Sequence, residues 1–227
     1  MASWFLNKYE VEKRFSFATE HSCRSWDDVI FVDIQIFSIH QAGYVFLGSN
    51  NRMSAPKKTV GSIRVWAWFS IHGAREIALL DDDADITDLV DNYLVAKAAA
   101  LFGIGPLRFV DDSGCALTTS SFECFKKLES KINIKEIKWP CNSSHLSPFF
   151  TVWHRIDKTI RIQRFQPEDP VELWNLIEMV WGRMSDRPVY WRGAIFNMQR
   201  KLRVIAALRG ERMEGEMMAN YYNQVPY

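Results

Sequence analysis

Trp26 to Phe37 reads WDDVIFVDIQIF. Successive side chains of a strand point to opposite faces, so Val29, Phe31 and Asp33 share one side and Ile30, Val32 and Ile34 the other. Packing does not explain an Asp inside so apolar a strand, because a buried charge is costly unless paired or liganded. Two further segments carry chemistry. FVDDSGCALTT, residues 109–119, follows a strand over Leu107–Val110 that delivers Asp111 and Asp112 at its end. An Asp ending a strand also serves simply to cap a turn. WPCNSSHLSPFFTVW, residues 139–153, sets Pro148 in the first turn of a helix, where its missing N–H costs nothing.

Working outward, the pattern predicts a helix over residues 5–24 with Phe15, Phe17 and Ala18 as its apolar positions. Strands follow over 28–39, 41–48 and 61–71, with turns at Ala42-Gly43 and His72-Gly73, and Glu76 to Leu80 continues the last hairpin. The acidic run from Asp81 to Asp91 suits the start of a helix, where the dipole favours anions. As a calcium loop it lacks the Gly and the final Glu. A helix over 119–131, a strand over 132–137, and helices over 170–184 and 190–209 with Gly210 as C-cap complete the chain. Strands in a meander followed by alternating helices and strands imply an α/β fold, a mixed sheet of about five strands flanked by helices. The expected division is a helical lead-in over 1–25, a core over 26–165, and C-terminal helices with a tail over 166–227.

With 48% hydrophobic and 14% aromatic residues, including nine Trp and fifteen Phe, the chain has ample material for a core and is not a disordered segment. Its net charge of +1 weighs against a tight polyanion complex, whose affinity rests on phosphate neutralisation. No signal peptide or apolar run of membrane-spanning length is present, so no membrane partner is expected. Cys23, Cys115, Cys124 and Cys141 show no zinc spacing and are expected as reduced thiols of an intracellular protein.

The three segments resemble the DDE domain of mariner-superfamily transposases, whose motifs run roughly W..V.FSDES.F, F.QDNAP.H.. and WP..SPDLNPIEN.W. GSIRVWAWFSIHGAREIALL, ELWNLIEMVWGR and NMQRKLRVIAALRG resemble further stretches of it, so the likeness covers about residues 14–210. The family's paired helix-turn-helix region has no match here. The resemblance implies an RNase H-like fold, a nuclear location, and descent from a DNA transposase using magnesium or manganese. In such sites two ions about 4 Å apart activate the nucleophile and stabilise the leaving oxygen, held by carboxylates from different strands.

Asp33 and Asp112 match the family's first two acidic positions. Aligned without a gap, SSHLSPFF over SPDLNPIE sets His145 at the Asp, Pro148 at the second Pro and Phe150 at the third acidic position, with Trp153 at the Trp beyond. Phe150 lies 38 positions after Asp112, close to the family's spacing. A benzyl group offers no oxygen to a hard cation, and Asp157, two turns on, is roughly 10 Å away along the axis. Ile34, Ser113 and Leu117 also replace polar family residues. The catalytic site is therefore expected to be lost and no cofactor is expected; Asp33, Asp112 and Asp111 remain weak candidates for a single ion. The implied role is a transposase-derived scaffold that binds protein partners, with an active strand transferase as the alternative.

Between Arg183 and Arg212, eight basic residues stand against two acidic ones. Arg183, Arg187, Arg192, Arg200, Lys201 and Arg203 are the candidates for DNA contact, and His154, Arg155, Lys158, Arg161 and Arg164 extend the basic set. A solvated face laced with salt bridges is the alternative. Whether the domain pairs with a second copy is left open. The aromatic ends, Trp4-Phe5 and MMANYYNQVPY, suggest further contact surfaces.

Overall fold

A computed structural model describes residues 6–48, 59–80, 94, 96–102, 107–111 and 134–213 of the chain. Asp112, the acidic run 81–91, the helix expected over 119–131, and both aromatic ends lie outside the described residues.

The strands are β1 (Val29–His40), β2 (Val45–Gly48), β3 (Thr59–Ser70), β4 (Gly73–Leu80), β5 (Leu107–Asp111) and β6 (Ile134–Glu136). The helices are α1 (Lys8–His21), α2 (Ala96–Phe102), α3 (Pro148–Arg161), α4 (Pro170–Ser185) and α5 (Pro188–Ala207). Among the described residues the sheet runs β4-β3-β1-β5-β6, with β2 paired to β1 off this path, which makes six strands where about five were expected. Length explains the extra strand. β1 spans 12 residues, and one of its edges is divided between parallel β5 at Val29–Val32 and antiparallel β2 at Ile36–Ile39. Its other edge is filled by β3 from Ile30 to His40. β6 continues the parallel side beyond β5.

The alternation expected along β1 holds. Val29, Phe31, Phe37 and Ile39 enter a core with Val65, Ala67 and Phe69 of β3, and α1, α3, α4 and α5 cover that face. Ile30 and Val32, with Trp66 and Trp68, are buried outside this cluster, as are Leu94 and, on α2, Ala98. Covered on both faces, the central strands read as near-continuous apolar runs.

Local chemistry sets the helix ends. Asn7 and Glu10 form a capping box on α1. Ser147 accepts from the Phe149 N–H, and Asp169 from the Glu172 N–H, with Pro148 and Pro170 following as the first helical residues. α5 stops at Ala207 with Leu208 as C-cap, so Gly210 is not the cap but lies two residues beyond it. Arg209 and Gly210 both take positive φ, 52° and 90°.

Two other expectations fail. Phe15 is 39% exposed, because the buried stripe of α1 is Arg14, Phe17 and Ala18 at helical spacing. Cys141, exposed beside the turn at Asn142 (φ 54°), is disulfide-bonded rather than reduced, while Cys23 is a free, exposed thiol.

Candidate functional site

Asp33 is only 6% exposed on the core face of β1. Its cross-strand partner is Ala67. That small neighbour leaves room for the indole of Trp153, which donates to Asp33 Oδ2 at 2.7 Å. The Ile34 N–H donates to Oδ1 at 2.8 Å. The buried carboxyl group is therefore held by N–H donors, as a polar group in a low-dielectric site requires. β5 runs alongside and carries Asp111 opposite Val32, which brings the second acidic segment to the strand that bears Asp33.

α3 carries Phe150, the residue expected from the motif alignment at the third acidic position. Phe150 and Trp153 are one turn apart on the same face, about 4.5 Å along the axis. Trp153 packs against Phe37, Phe149 and Trp181. Phe150 is half-buried, its ring centroid 4.0 Å from that of His154. The Lys201 Nζ stands over the same ring, 5.1 Å from its centroid. Lys201 is 4% exposed and donates to the His145 carbonyl at 2.6 Å, so it does not face solvent as a phosphate-binding lysine would.

His145, at the place of the family's Asp, joins a buried network that the sequence reading did not find. Arg14, fully buried, donates to Ser143 Oγ at 3.0 Å and to the Gly210 carbonyl at 2.9 Å, with Nη1 3.4 Å from His145 Nε2. A guanidinium can only donate, so Nε2 accepts and the ring proton sits on Nδ1. Burial, then the charges of Arg14 and Lys201, pushes the His145 pKa down to about 3. Burial also lowers Arg14 to about 10. The signal was present in the sequence: Arg14 precedes Phe17 and Ala18 at the spacing of one helix face.

Asp157 pairs with Arg161 at 2.9 Å, away from the third position. Among the described residues no three His, Cys, Asp or Glu side chains are grouped to hold a metal ion. Of the DNA-contact candidates, Arg183, Arg187, Arg192 and Arg203 are exposed and Arg200 is half-buried. Arg183 and Arg187 meet Arg155 of α3 around a cavity of about 510 Å³, also lined by Thr159, Val180, Met184, Asp186 and Tyr190. There Arg187 Nη1 donates to the Tyr190 hydroxyl at 3.2 Å, and the Arg155 guanidinium lies 4.0 Å from the Tyr190 ring centroid. The Arg187 bond, with the positive field of Arg155, lowers the Tyr190 pKa.

No protein-family profile and no curated protein matches the chain. Solved structures do. A Mos1 transposase paired-end complex with the left transposon end superposes with a TM-score of 0.69 at 14% identity, covering 94% of this chain and 66% of that one. The Mos1 mariner paired-end complex with Mn gives 0.67 at 14%, covering 92% and 65%. The isolated catalytic domain of the Mos1 mariner transposase gives 0.65 at 16%, covering 92% and 98%. The chain thus spans about two thirds of the chains in those complexes and nearly all of the catalytic domain, and at this identity the likeness is one of fold. Among the described residues no helix is long and apolar enough to cross a membrane.

Proposed function

We propose that this chain, which has the fold of a mariner transposase catalytic domain, is a transposase-derived nuclear scaffold that no longer cuts DNA. The main support is Phe150, which the motif alignment sets at the third acidic position and beside whose ring the buried ammonium of Lys201 lies. The described donor set does not fit a two-metal centre. Phe150 supplies no oxygen, the neighbouring lysine repels a cation, and both Asp33 oxygens already accept protein N–H groups. Protein contact is supported by apolar side chains left in solvent. Phe165 and Val60, 77% and 57% exposed, line a cavity of about 680 Å³ between the β1–β2 turn, the start of β3 and the α3–α4 connection. DNA contact, the activity suggested by the neighbouring complexes, would fall to the exposed Arg192 and Arg203 on α5.

Manganese titration by calorimetry tests the proposal, with Phe150→Glu and the double variant Phe150→Glu/Lys201→Met beside the native chain. The native chain is expected to give no saturable heat. Phe150→Glu alone is expected to stay silent, because the new carboxylate pairs with Lys201. Only the double variant is expected to bind. Saturable manganese binding by the native chain would overturn the reading of Phe150, and manganese-dependent nicking of plasmid DNA by it would establish the alternative, a working strand transferase.

A further inference from the structure

The cavity between α3, α4 and the start of α5 has a composition that the metal-site reading does not use. Three guanidiniums converge on it from three places: Arg155 on α3, Arg183 in the last turn of α4, and Arg187 at the N-cap of α5. None of the three makes an ion pair within the described residues, although elsewhere Arg24, Arg108 and Arg161 are paired with Asp. Asp186 is the one carboxylate in the lining, so the site keeps about two uncompensated positive charges. The Tyr190 hydroxyl accepts from Arg187, and since a guanidinium has no lone pair to offer, the phenolic proton remains available to an outside acceptor. α5 adds a weaker contribution. It is 20 residues long, its N-cap side chain makes no capping bond, and its positive dipole end opens beside the same arginines.

We propose that this cavity binds a phosphate monoester. A monoester near pH 7 carries close to two negative charges and three acceptor oxygens. That matches the two uncompensated charges and the convergence of guanidinium and hydroxyl donors, which bind such oxygens with charge-assisted hydrogen bonds. A phosphodiester carries one charge per phosphate, and a nucleic-acid strand needs a continuous basic track; a chain of net charge +1 with a compact arginine cluster around one cavity fits the single dianion better. The proposal is independent of the fate of the metal site.

The test is an NMR titration of the arginine Nε–Hε resonances of the whole chain with phenyl phosphate, with diphenyl phosphate at matched ionic strength as the monoanionic control. Phenyl phosphate is expected to move the Arg155, Arg183 and Arg187 resonances to saturation, and to bind at least about tenfold more tightly than the diester. Arg183→Gln is exposed and makes no described bond, so the fold should survive it; its binding is expected to fall about tenfold with the remaining amide spectrum unchanged. No saturable shift below about 10 mM, equal affinity for the diester, or native affinity in Arg183→Gln would overturn the proposal. So would displacement of phenyl phosphate by an unphosphorylated DNA duplex, which would assign the cavity to nucleic-acid backbone. A phosphoserine peptide that binds more tightly than phenyl phosphate, with its unphosphorylated form silent, would place the monoester on a protein segment. Equal affinity of peptide and phenyl phosphate would place it on a small molecule.

Discussion

Phe150 differs from a catalytic carboxylate by more than a missing oxygen. Lys201 lies beside it, and His145, aligned with the Asp of the resembled motif, has its ring held neutral by burial and by the charges of Arg14, Lys201 and Arg212. This has a measurable consequence. The His145 pKa is about 3 in the folded chain against an ordinary 6.5, so the unfolded state binds the extra proton first. The associated stability is fully present above about pH 6.5 and is lost progressively as pH falls toward 3. Burial lowers the pKa of His21 and His154 as well, with the same sign. Urea unfolding of the native chain and of His145→Gln across this range isolates the term: the variant is expected to lose less stability than the native chain between pH 6.5 and 4. Parallel curves would show that His145 does not sense the proton.

α1 and the end of α5 are locked by contacts from both backbones. A Cβ built on Gly210 would lie 2.0 Å from the Val11 carbonyl oxygen, and φ there is +90°. Gly210→Ala therefore meets both a backbone clash and a disfavoured conformation, and is expected to lower unfolding free energy by more than about 3 kcal/mol. Gly43→Ala, also at positive φ but with open space around it, is expected to cost only about 1 kcal/mol. Similar midpoints in a urea comparison of the two would contradict the α1–α5 contact. Arg14 runs through the same junction, and Arg14→Met, which orphans the Gly210 carbonyl, is expected to cost about 2–3 kcal/mol. Most helix boundaries were readable because the caps are local: Ser147-Pro148 and Asp169-Pro170 announce their helices in adjacent letters. The end of α5 was misplaced because the left-handed turn begins at Arg209, a residue with no sequence preference for it.

Across the sheet, β1 is hydrogen-bonded on both edges, by β3 along its length and by β5 and β2 in turn. Its amides from Ile30 to Ile39 are expected to exchange with solvent last, at the free energy of global unfolding, while those of β6, three residues long, exchange at least about tenfold faster. Early exchange in β1 would contradict its central place. That place was legible, since WDDVIFVDIQIF is apolar on both faces; the division of its edge between β5 and β2 was not, because pairing partners come from residues far apart in the chain. The arginine cavity was legible only as an excess of positive charge. Which arginines converge depends on how α3, α4 and α5 pack, and the same packing buried Lys201, which composition alone counted as surface.

Strand alternation, helix starts and the strand-borne Asp33 could all be read from the letters, because each rests on periodicity or on capping chemistry between neighbours. The donors that hold Asp33, the cation beside Phe150, the neutral His145, the buried Arg14 and the disulfide at Cys141 required the folded chain. Each depends on which side chains meet across long sequence separations in a low-dielectric interior, and a linear pattern does not encode those meetings.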